Sequence, residues 1–231
     1  MAQSQWRDLG ASPAPAVPAT AVNSTQINFA GHEWVVIGND TNRTYGSQPN
    51  GSVTVLLKSN GTASYEAGGG FGGTMAFRES GSTCAGSYAG SCSVPSDYNT
   101  STLQSRMVTI ASGFGKELDV ITERTLTSSS DGIGGADVAN QKLWALSDSE
   151  WSTINDNSVT SYPSSWWLRS PLGDFNASAG WFGGGYIDYD LNYVDLASFV
   201  VRPAFNLDLQ SVLFASDARV SFRSIWTKSL R

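Results

Sequence analysis

Two blocks of bulky apolar residues enclose a soft segment in the C-terminal third of the chain. The first block spans residues 166–171 (WWLRSP) and the second spans residues 200–207 (VVRPAFNL). Each combines large apolar side chains with an Arg and a Pro, a composition typical of a buried framework. After Leu172, the 27 residues 173–199 that lie between them are mostly Gly, Asp, Asn, Tyr, Ser, Ala and Phe. Tyr supplies amphipathic contact area while Ser, Gly and Asn supply adaptable hydrogen bonding. The contrast predicts a recognition surface on a rigid frame and does not favour catalysis.

Length and charge limit the partners that such a chain can have. The 231 residues suffice for one large domain, which would bury about 70% of its unfolded surface. A formal net charge of −6 disfavours nonspecific attraction to nucleic acid or anionic lipid. No apolar run is long enough to span a bilayer, and the N-terminal residues lack the basic start and apolar core of a signal peptide. We therefore expect no nucleic-acid partner, no membrane insertion and no secretion signal in the chain as given.

Composition divides the chain into a domain and two tails. Residues 1–26 contain an Ala/Pro-rich run that favours extended conformations, which predicts a flexible N-terminal tail or linker. The domain is expected over 27–217. Residues 218–231 are predicted to be a solvated basic tail, because they carry Arg219, Arg223, Lys228 and Arg231.

Strand signals occur at both ends of the predicted domain. Residues 27–38 read as two short strands joined by a turn at Ala30-Gly31, and residues 52–57 are apolar enough for a strand buried on both faces. Residues 186–193 alternate between apolar or aromatic and acidic or amide side chains, which predicts a half-exposed strand. Further short strands are expected at 142–146, 199–201 and 204–207, and a long loop region is expected at 60–99.

Helix signals lie in the middle of the chain. Ser101 and Gln104 form a predicted capping box, followed by an apolar stripe at Leu103, Met107, Ile110, Ala111 and Phe114. A shorter helix is expected at 116–121, with Leu118 and Ile121 on the core, followed by a polar loop at 127–136. Ser147 and Glu150 form a second capping box, which opens a short helix that buries Trp151 and Ile154. Together these elements predict a mixed α+β domain with short strands, two or three helices and many loops.

Five segments occur in an order that resembles a known family. They are residues 27–38 (INFAGHEWVVIG), 98–103 (YNTSTL), 143–147 (LWALS), 166–171 (WWLRSP) and 201–209 (VRPAFNLDL). Their order is similar to that of the C-type-lectin-fold variable proteins of diversity-generating retroelements, including the phage tropism-determinant type. The resemblance covers about residues 27–217. It implies a C-type-lectin-like fold and a non-enzymatic ligand-binding protein of a phage particle or cell surface. In that family a reverse transcriptase writes errors made at adenines into the 3′ end of the target gene.

Carried onto this chain, the resemblance implies that 173–199 is the variable segment and that its ligand is a protein or cell-surface molecule. The implied ligand-binding positions are Asp174, Phe175, Asn176, Ser178, Trp181, Tyr186, Asp188, Tyr189, Asp190, Asn192, Tyr193, Asp195 and Ser198. The implied scaffold positions are Trp166, Trp167, Arg169, Arg202 and Pro203, and the two Arg side chains are expected to be held by hydrogen bonds. The segment lacks Lys, Glu, Gln and Met, as adenine mutagenesis of codons ending in a pyrimidine would require. Trp181 does not fit such codons and is either fixed or written from another codon.

Enzymatic readings find little support in the sequence. His32, the one histidine, lies in a strand-like run, and no His-Glu-x-x-His zinc helix or Gly-x-Ser-x-Gly elbow is present. Formylglycine-generating oxidases share the C-type lectin fold but need a reactive cysteine pair late in the chain, whereas the last cysteine here is Cys92. Two of the three acids Asp188, Asp190 and Asp195 could resemble the pair of catalytic carboxylates of a glycosidase. On an exposed strand, however, they are expected to be ordinary solvated acids. We expect no enzymatic activity and no cofactor.

The cysteines and the acidic residues leave two questions open. Cys84 and Cys92 suit either a disulfide across a seven-residue loop or two unpaired thiols, and they do not make a zinc site. Asp188, Asp190 and Asn192 match the start of a calcium loop, but the later EF-hand ligands are missing. An irregular calcium site that includes Asp195 is an alternative to no metal.

A structural or assembly module of a virion or cell surface is the alternative function. The Tyr, Trp and Gly residues of 173–199 would then pack in a fixed interface. Such residues would not vary among close relatives, whereas the residues of a diversified binding face would. The sequence is compatible with both monomers and trimers.

Overall fold

A computed structural model describes residues 22–41, 45–46, 48–58, 71, 73–78, 97–154, 156, 159, 162, 164–172, 177–180, 187–188, 193–195, 197, 199–214 and 221–222. The strands in this part of the chain are β1 (Gln26–Phe29), β2 (His32–Asn39), β3 (Ser52–Leu57), β4 (Ile121–Thr122), β5 (Arg124–Leu126), β6 (Val138–Gln141), β7 (Trp144–Ala145), β8 (Trp166–Pro171), β9 (Ala177–Gly180), β10 (Ile187–Asp188), β11 (Pro203–Asp208) and β12 (Ser221–Phe222). The α-helices are α1 (Thr102–Ser112), α2 (Asp148–Ser152) and α3 (Leu209–Phe214), and 3-10 helices span Tyr98–Thr100 and Gly115–Val120.

The described strands form three antiparallel sheets, so the protein has the expected mixed α+β class. The main sheet has the order β12-β1-β2-β3-β11-β4, and β7 also pairs with β11. A second sheet has the order β10-β9-β8, and β5 pairs with β6 as a two-stranded hairpin. One hydrophobic cluster joins the main sheet to α1, α2 and β8. The second sheet, which carries part of the candidate binding segment, is therefore built directly on the core.

The N-terminal hairpin follows from local chemistry. Ala30 and Gly31 both have positive φ, at 50° and 77°, which matches the twist that a tight two-residue hairpin turn requires. All six residues of β3 are buried, because the strand lies between β2 and β11. The predictions of a turn at 30–31 and of a doubly buried strand at 52–57 are confirmed.

The two predicted helix starts differ in outcome. At α2, Ser147 Oγ accepts from Glu150 N at 3.1 Å and Glu150 Oε2 accepts from Ser147 N at 3.1 Å, so this capping box is confirmed. At α1, Ser101 Oγ accepts from Gln104 N, but the Gln104 side chain donates to Gln141 of β6. The second half of that capping box is wrong, because the Ser101 amide already donates to Tyr98 O in the preceding 3-10 helix. The apolar stripe of α1 is buried as expected.

Two of the predicted strands differ from expectation because their main-chain groups form hydrogen bonds with other partners. The strand expected at 142–146 is limited to Trp144–Ala145, because Leu146 O accepts from Arg169 N of β8 instead of from β11. The strand expected at 199–201 is two isolated bridges, from Phe199 to Met75 and from Val200 to Trp166.

Other elements were placed differently or not foreseen. Within 116–121, the first five residues belong to the 3-10 helix and Ile121 belongs to β4. The sequence did not indicate β5, β6, β9 or α3. In the alternating run at 186–193, Ile187–Asp188 is a strand, and residues 186 and 189–192 lie outside the described chain.

Both predicted tails overlap with ordered structure. Asn23 N donates to Val36 O and Val36 N donates to Thr25 O, so the chain joins β2 before the expected start at residue 27. Near the other end, β12 pairs with β1 within the predicted basic tail. The rest of both tails, most of the loop at 60–99 and both cysteines lie outside the described residues.

Candidate functional site

The sheet β8–β9–β10 joins the first block to the candidate binding segment: β8 is the first block, and β9 and β10 belong to the segment. Trp166 pairs with Gly180, Trp167 pairs with Ala179, and the register shifts before Pro171 pairs with Ala177. On the other side of β9, Gly180 pairs with Ile187. The segment therefore begins with β9, which folds back on the core strand β8, and continues with β10, which folds back on β9.

The two blocks meet at the base of the segment. Trp167 N donates to Val200 O at 3.2 Å, and Val200 N donates to Ser165 O at 3.0 Å. Trp166 and Val200 form a parallel bridge. Both ends of the candidate segment are thus held together by main-chain hydrogen bonds, which do not depend on the side chains between them.

Trp167 packs at the centre of this junction. Its side chain is fully buried, and Nε1 donates to Met75 O at 2.8 Å. Its ring makes edge contacts with Phe199 and Phe77, at centroid distances of 4.5 and 5.7 Å. A buried indole whose N–H is satisfied and whose ring is enclosed makes a strong packing contribution.

Arg169 is buried in an ionic network under the first block. Its Nη1 donates to Glu150 Oε2 at 2.5 Å and to Ala145 O at 2.7 Å, and its Nε donates to Asp131 O at 2.8 Å. Arg124 shares both acids, with Nη1 2.7 Å from Glu150 Oε1 and Nη2 hydrogen-bonded to Asp131. Glu150 thereby connects α2, β5 and β8 while it also caps its own helix. The expected hydrogen-bonded state of Arg169 is present.

The two acids of this network stay ionised because of the arginines. Burial alone would raise the pKa of Glu150, but the charges of Arg169 and Arg124 and the hydrogen bonds to its carboxylate outweigh it and lower the pKa. Burial opposes ionisation of Asp131 in the same way, and hydrogen bonds from Thr127 with both arginine charges lower its pKa. The folded state therefore favours the charged form of both acids.

We expect acid to weaken the fold through these two carboxyls. Since both pKa values are lower in the folded protein than the ordinary values of about 4.3 for Glu and 3.9 for Asp, their contribution is complete above those values and is lost as the pH falls. The contribution of these two carboxyls to the free energy of unfolding, measured in urea as the difference between the parent and Glu150→Gln, should be constant from pH 7 to about 5 and fall below it. His32, whose pKa burial also lowers, adds a separate decrease that begins as the pH falls through about 6.5 and is the same in both proteins. The Glu150→Gln variant should show a shallower fall between pH 5 and 3. Equal slopes in the two proteins would contradict the role of Glu150.

Arg202 of the second block lies in an aromatic enclosure. Its guanidinium carbon is 4.5 Å from the Tyr162 ring centroid, 4.9 Å from that of Trp166 and 5.7 Å from that of Trp151. Nε donates to Leu57 O at 3.0 Å and Nη2 donates to Val159 O at 2.6 Å. Cation–π contacts gain strength when water is excluded, as it is at this 2% exposed residue. Pro203, also buried, follows directly and starts β11 against β7.

Inside the candidate segment, two buried residues were not foreseen as anchors. Val194 is fully buried and its carbonyl accepts from Arg78 N at 2.8 Å. Phe199 is 8% exposed and its carbonyl accepts from Met75 N at 2.9 Å. Both are apolar, but the segment contains other apolar residues such as Leu191 and Leu196, so the sequence did not single out these two. The partner segment 75–78 could not be recognised, because it lies between Gly- and Ser-rich runs.

The structure describes four of the thirteen predicted ligand-binding positions. Ser178 lies in β9 and Asp188 lies in β10. Tyr193 and Asp195 flank Val194 and are both half-buried. The other nine lie outside the described residues: Asp174, Phe175, Asn176, Trp181, Tyr186, Tyr189, Asp190, Asn192 and Ser198.

His32 fits a structural role in β2. Its ring is 4.4 Å from Phe71 and 6.4 Å from Trp34, and burial lowers the pKa of its imidazole. Across the described chain, no group of three or more His, Cys, Asp or Glu side chains could hold a metal ion. Nor does any helix there have the length and apolar character to cross a membrane.

Comparison of the chain with protein-family models, curated proteins and solved structures finds no match. The family resemblance of the five sequence segments is therefore a hypothesis that rests on those segments.

Proposed function

We propose that this protein is a non-enzymatic binding protein of C-type-lectin-like fold. Its segment 173–199, diversified by a retroelement, would form a solvent-exposed face for a protein or cell-surface ligand. The observation that best supports the proposal is the junction of Trp167 with Val200, which closes the segment at its base through main-chain bonds. A loop held in this way can exchange side chains without altering its frame, which is how binding loops are carried on rigid scaffolds. A phage particle or cell surface is the proposed location.

The charge of the segment indicates the kind of ligand surface. It contains four acidic residues, Asp174, Asp188, Asp190 and Asp195, and no Lys or Arg. An acidic face favours a basic or cation-bearing patch on the partner and accelerates encounter with it. Raised salt should therefore slow association with the natural ligand more than it changes dissociation.

Deep sequencing of the 3′ end of the gene in its source population tests the proposed function directly. Substitutions confined to codons 173–199, at positions that match adenines in a nearby near-identical template repeat, are the expected result. A uniform 3′ end without a template or a reverse transcriptase gene nearby would contradict the proposal and would favour a fixed assembly interface.

A double substitution separates binding from folding. Tyr189→Ala with Asp190→Ala should abolish binding to the natural ligand, because an aromatic anchor and a neighbouring charge are lost from the face. The melting temperature should stay within a few degrees, since surface substitutions usually change stability by less than about 0.5 kcal/mol. The matched control is Glu123→Ala with Thr125→Ala, which removes one acid and one neutral side chain from exposed positions near and in β5. Equal binding by both double variants would contradict the assignment of the face.

A further inference from the structure

A short segment far away in sequence lies against the C-terminal part of the candidate binding segment. Met75 N donates to Phe199 O at 2.9 Å, and Arg78 N donates to Val194 O at 2.8 Å. These two bonds hold both ends of residues 194–199. Segment 75–78 therefore supports the part of the candidate face that leads into the second block.

The first three residues of this support are fixed to the core. Phe77 is fully buried, its carbonyl accepts from Leu103 N of α1 at 3.0 Å, and its ring packs on Trp167. Met75 O accepts from Trp167 Nε1. Residues 75–77 thus move only if the core moves, and Phe199 is held as firmly as they are.

Arg78 is held by a different kind of contact. It is half-buried, and its Nη2 donates to Asp97 O at 3.1 Å and to Thr100 Oγ1. The two acceptors lie at opposite ends of the 3-10 helix that precedes α1, since Asp97 is its N-cap and Thr100 is its last residue. The guanidinium therefore fixes the position of the residue whose main-chain amide holds Val194.

Val194 is placed between two predicted ligand-binding positions. Its side chain is fully buried, whereas its neighbours Tyr193 and Asp195 are half-buried. Any shift of Val194 would move both neighbours relative to the frame. The chain of contacts runs from Asp97 and Thr100 through Arg78 to Val194, and from there to the candidate face.

We propose that Arg78 is a positioning residue of the binding face, which acts through Val194 on the orientation of Tyr193 and Asp195. The proposal rests on the proposed binding function. A face that is ordered before binding loses less conformational entropy in the complex, so loss of the support should weaken affinity. The loss should appear mainly as faster dissociation, because changes within one interface alter koff more than kon.

The experiment uses the full chain and a defined probe protein. A library diversified at Tyr189, Asn192, Tyr193 and Asp195 is displayed and selected for binding to lysozyme. Arg78→Ala, Arg78→Lys and the control Arg106→Ala, a half-buried position on α1, are then introduced into selected binders. Dissociation rates, melting temperatures and amide hydrogen exchange are measured for each protein.

For Arg78→Ala we expect at least about tenfold faster dissociation, with a melting temperature within about 4 °C of the parent. Exchange of the amide at residue 78 should rise about tenfold or more, while that of Leu103, which donates to Phe77, stays unchanged. Arg78→Lys should recover part of both losses, because an ammonium can still reach one acceptor, and Arg106→Ala should change neither. If Arg78 only stabilised the fold, Arg78→Ala would lower the melting temperature, and exchange of the amides of residue 78 and Leu103 would rise together.

Each failure has its own signature. Unchanged dissociation in Arg78→Ala would overturn the positioning role and leave the binding function standing. Faster exchange throughout the core, with a large drop in melting temperature, would also overturn it, because Arg78 would then be a general stability residue. If the library yields no lysozyme binder, the proposed binding function fails and the positioning role fails with it.

Discussion

Replacement of Glu150 by Ala should destabilise this protein by about 3–5 kcal/mol, the range for a buried ion pair that loses one partner. The carboxylate has a side-chain exposure of 3% and accepts from Arg124, Arg169 and Ser147 N. Its removal leaves two buried guanidinium groups whose remaining ion-pair partner among the described residues is Asp131, and it also removes half of the capping box of α2. Because a domain of ordinary stability has about 5–15 kcal/mol in total, the variant should unfold at a much lower urea concentration.

Two further variants separate the effect of losing a negative charge from the effect of losing the buried Glu150 side chain. Glu123→Ala removes an acid whose side chain is 54% exposed and lies 3.8 Å from Lys142, so it should cost less than about 1 kcal/mol. Glu150→Gln keeps the shape but only one acceptor oxygen, because its amide nitrogen is a donor, and it should lie between the two Ala variants. A Glu150→Ala protein as stable as Glu123→Ala would show that the buried network contributes no net stability.

Replacement of Trp167 by Ala should cost about 3–5 kcal/mol, as large-to-small changes of buried aromatic residues do. The indole is fully buried between Phe77 and Phe199, and Met75 O would lose its donor. The variant would also loosen the base of the candidate segment, since Phe199 is its last residue. Urea unfolding followed by Trp fluorescence and near-UV circular dichroism would measure both effects.

The control for this prediction lies at the same position. Trp167→Phe keeps an aromatic ring between Phe77 and Phe199 but lacks the N–H that bonds to Met75 O. It should therefore recover most of the packing and leave a smaller loss, of about 1–3 kcal/mol for the unpaired buried carbonyl. Equal losses in the Phe and Ala variants would mean that the hydrogen bond, and not the packing, dominates.

The buried frame and the candidate segment differ in how much change they should tolerate. Trp167, Arg169 and Arg202 use side-chain contacts that no other residue type reproduces, so substitution there is expected to reduce the folded fraction. In the described part of the segment, Val194 and Phe199 bury their side chains, whereas β9, β10 and the carbonyls of Val194 and Phe199 are held by main-chain bonds that every non-proline residue can make. The proposed function requires this difference, because a diversified face would need main-chain contacts that do not depend on side-chain type.

Local chemistry determined the elements that the sequence could predict. The turn at Ala30-Gly31, the capping box of Ser147 with Glu150 and the apolar stripe of α1 depend on residues within a few positions of each other. The burial of Trp166 and Trp167 also followed from residue type, since large apolar side chains favour an interior position once a core exists. Residue type alone favours exposure of Arg169 and Arg202, and their hydrogen-bonded state was expected from the family resemblance.

Tertiary structure decided the features whose partners are distant in the chain. Gln104 turned from its own helix to Gln141, and Leu146 bonded to Arg169 instead of continuing β7, because a hydrogen-bonding group takes whichever partner the fold brings near. The same holds for the support of Val194 by Arg78, two residues 116 positions apart. A sequence states which groups need partners, while only the packed chain decides which distant group meets that need.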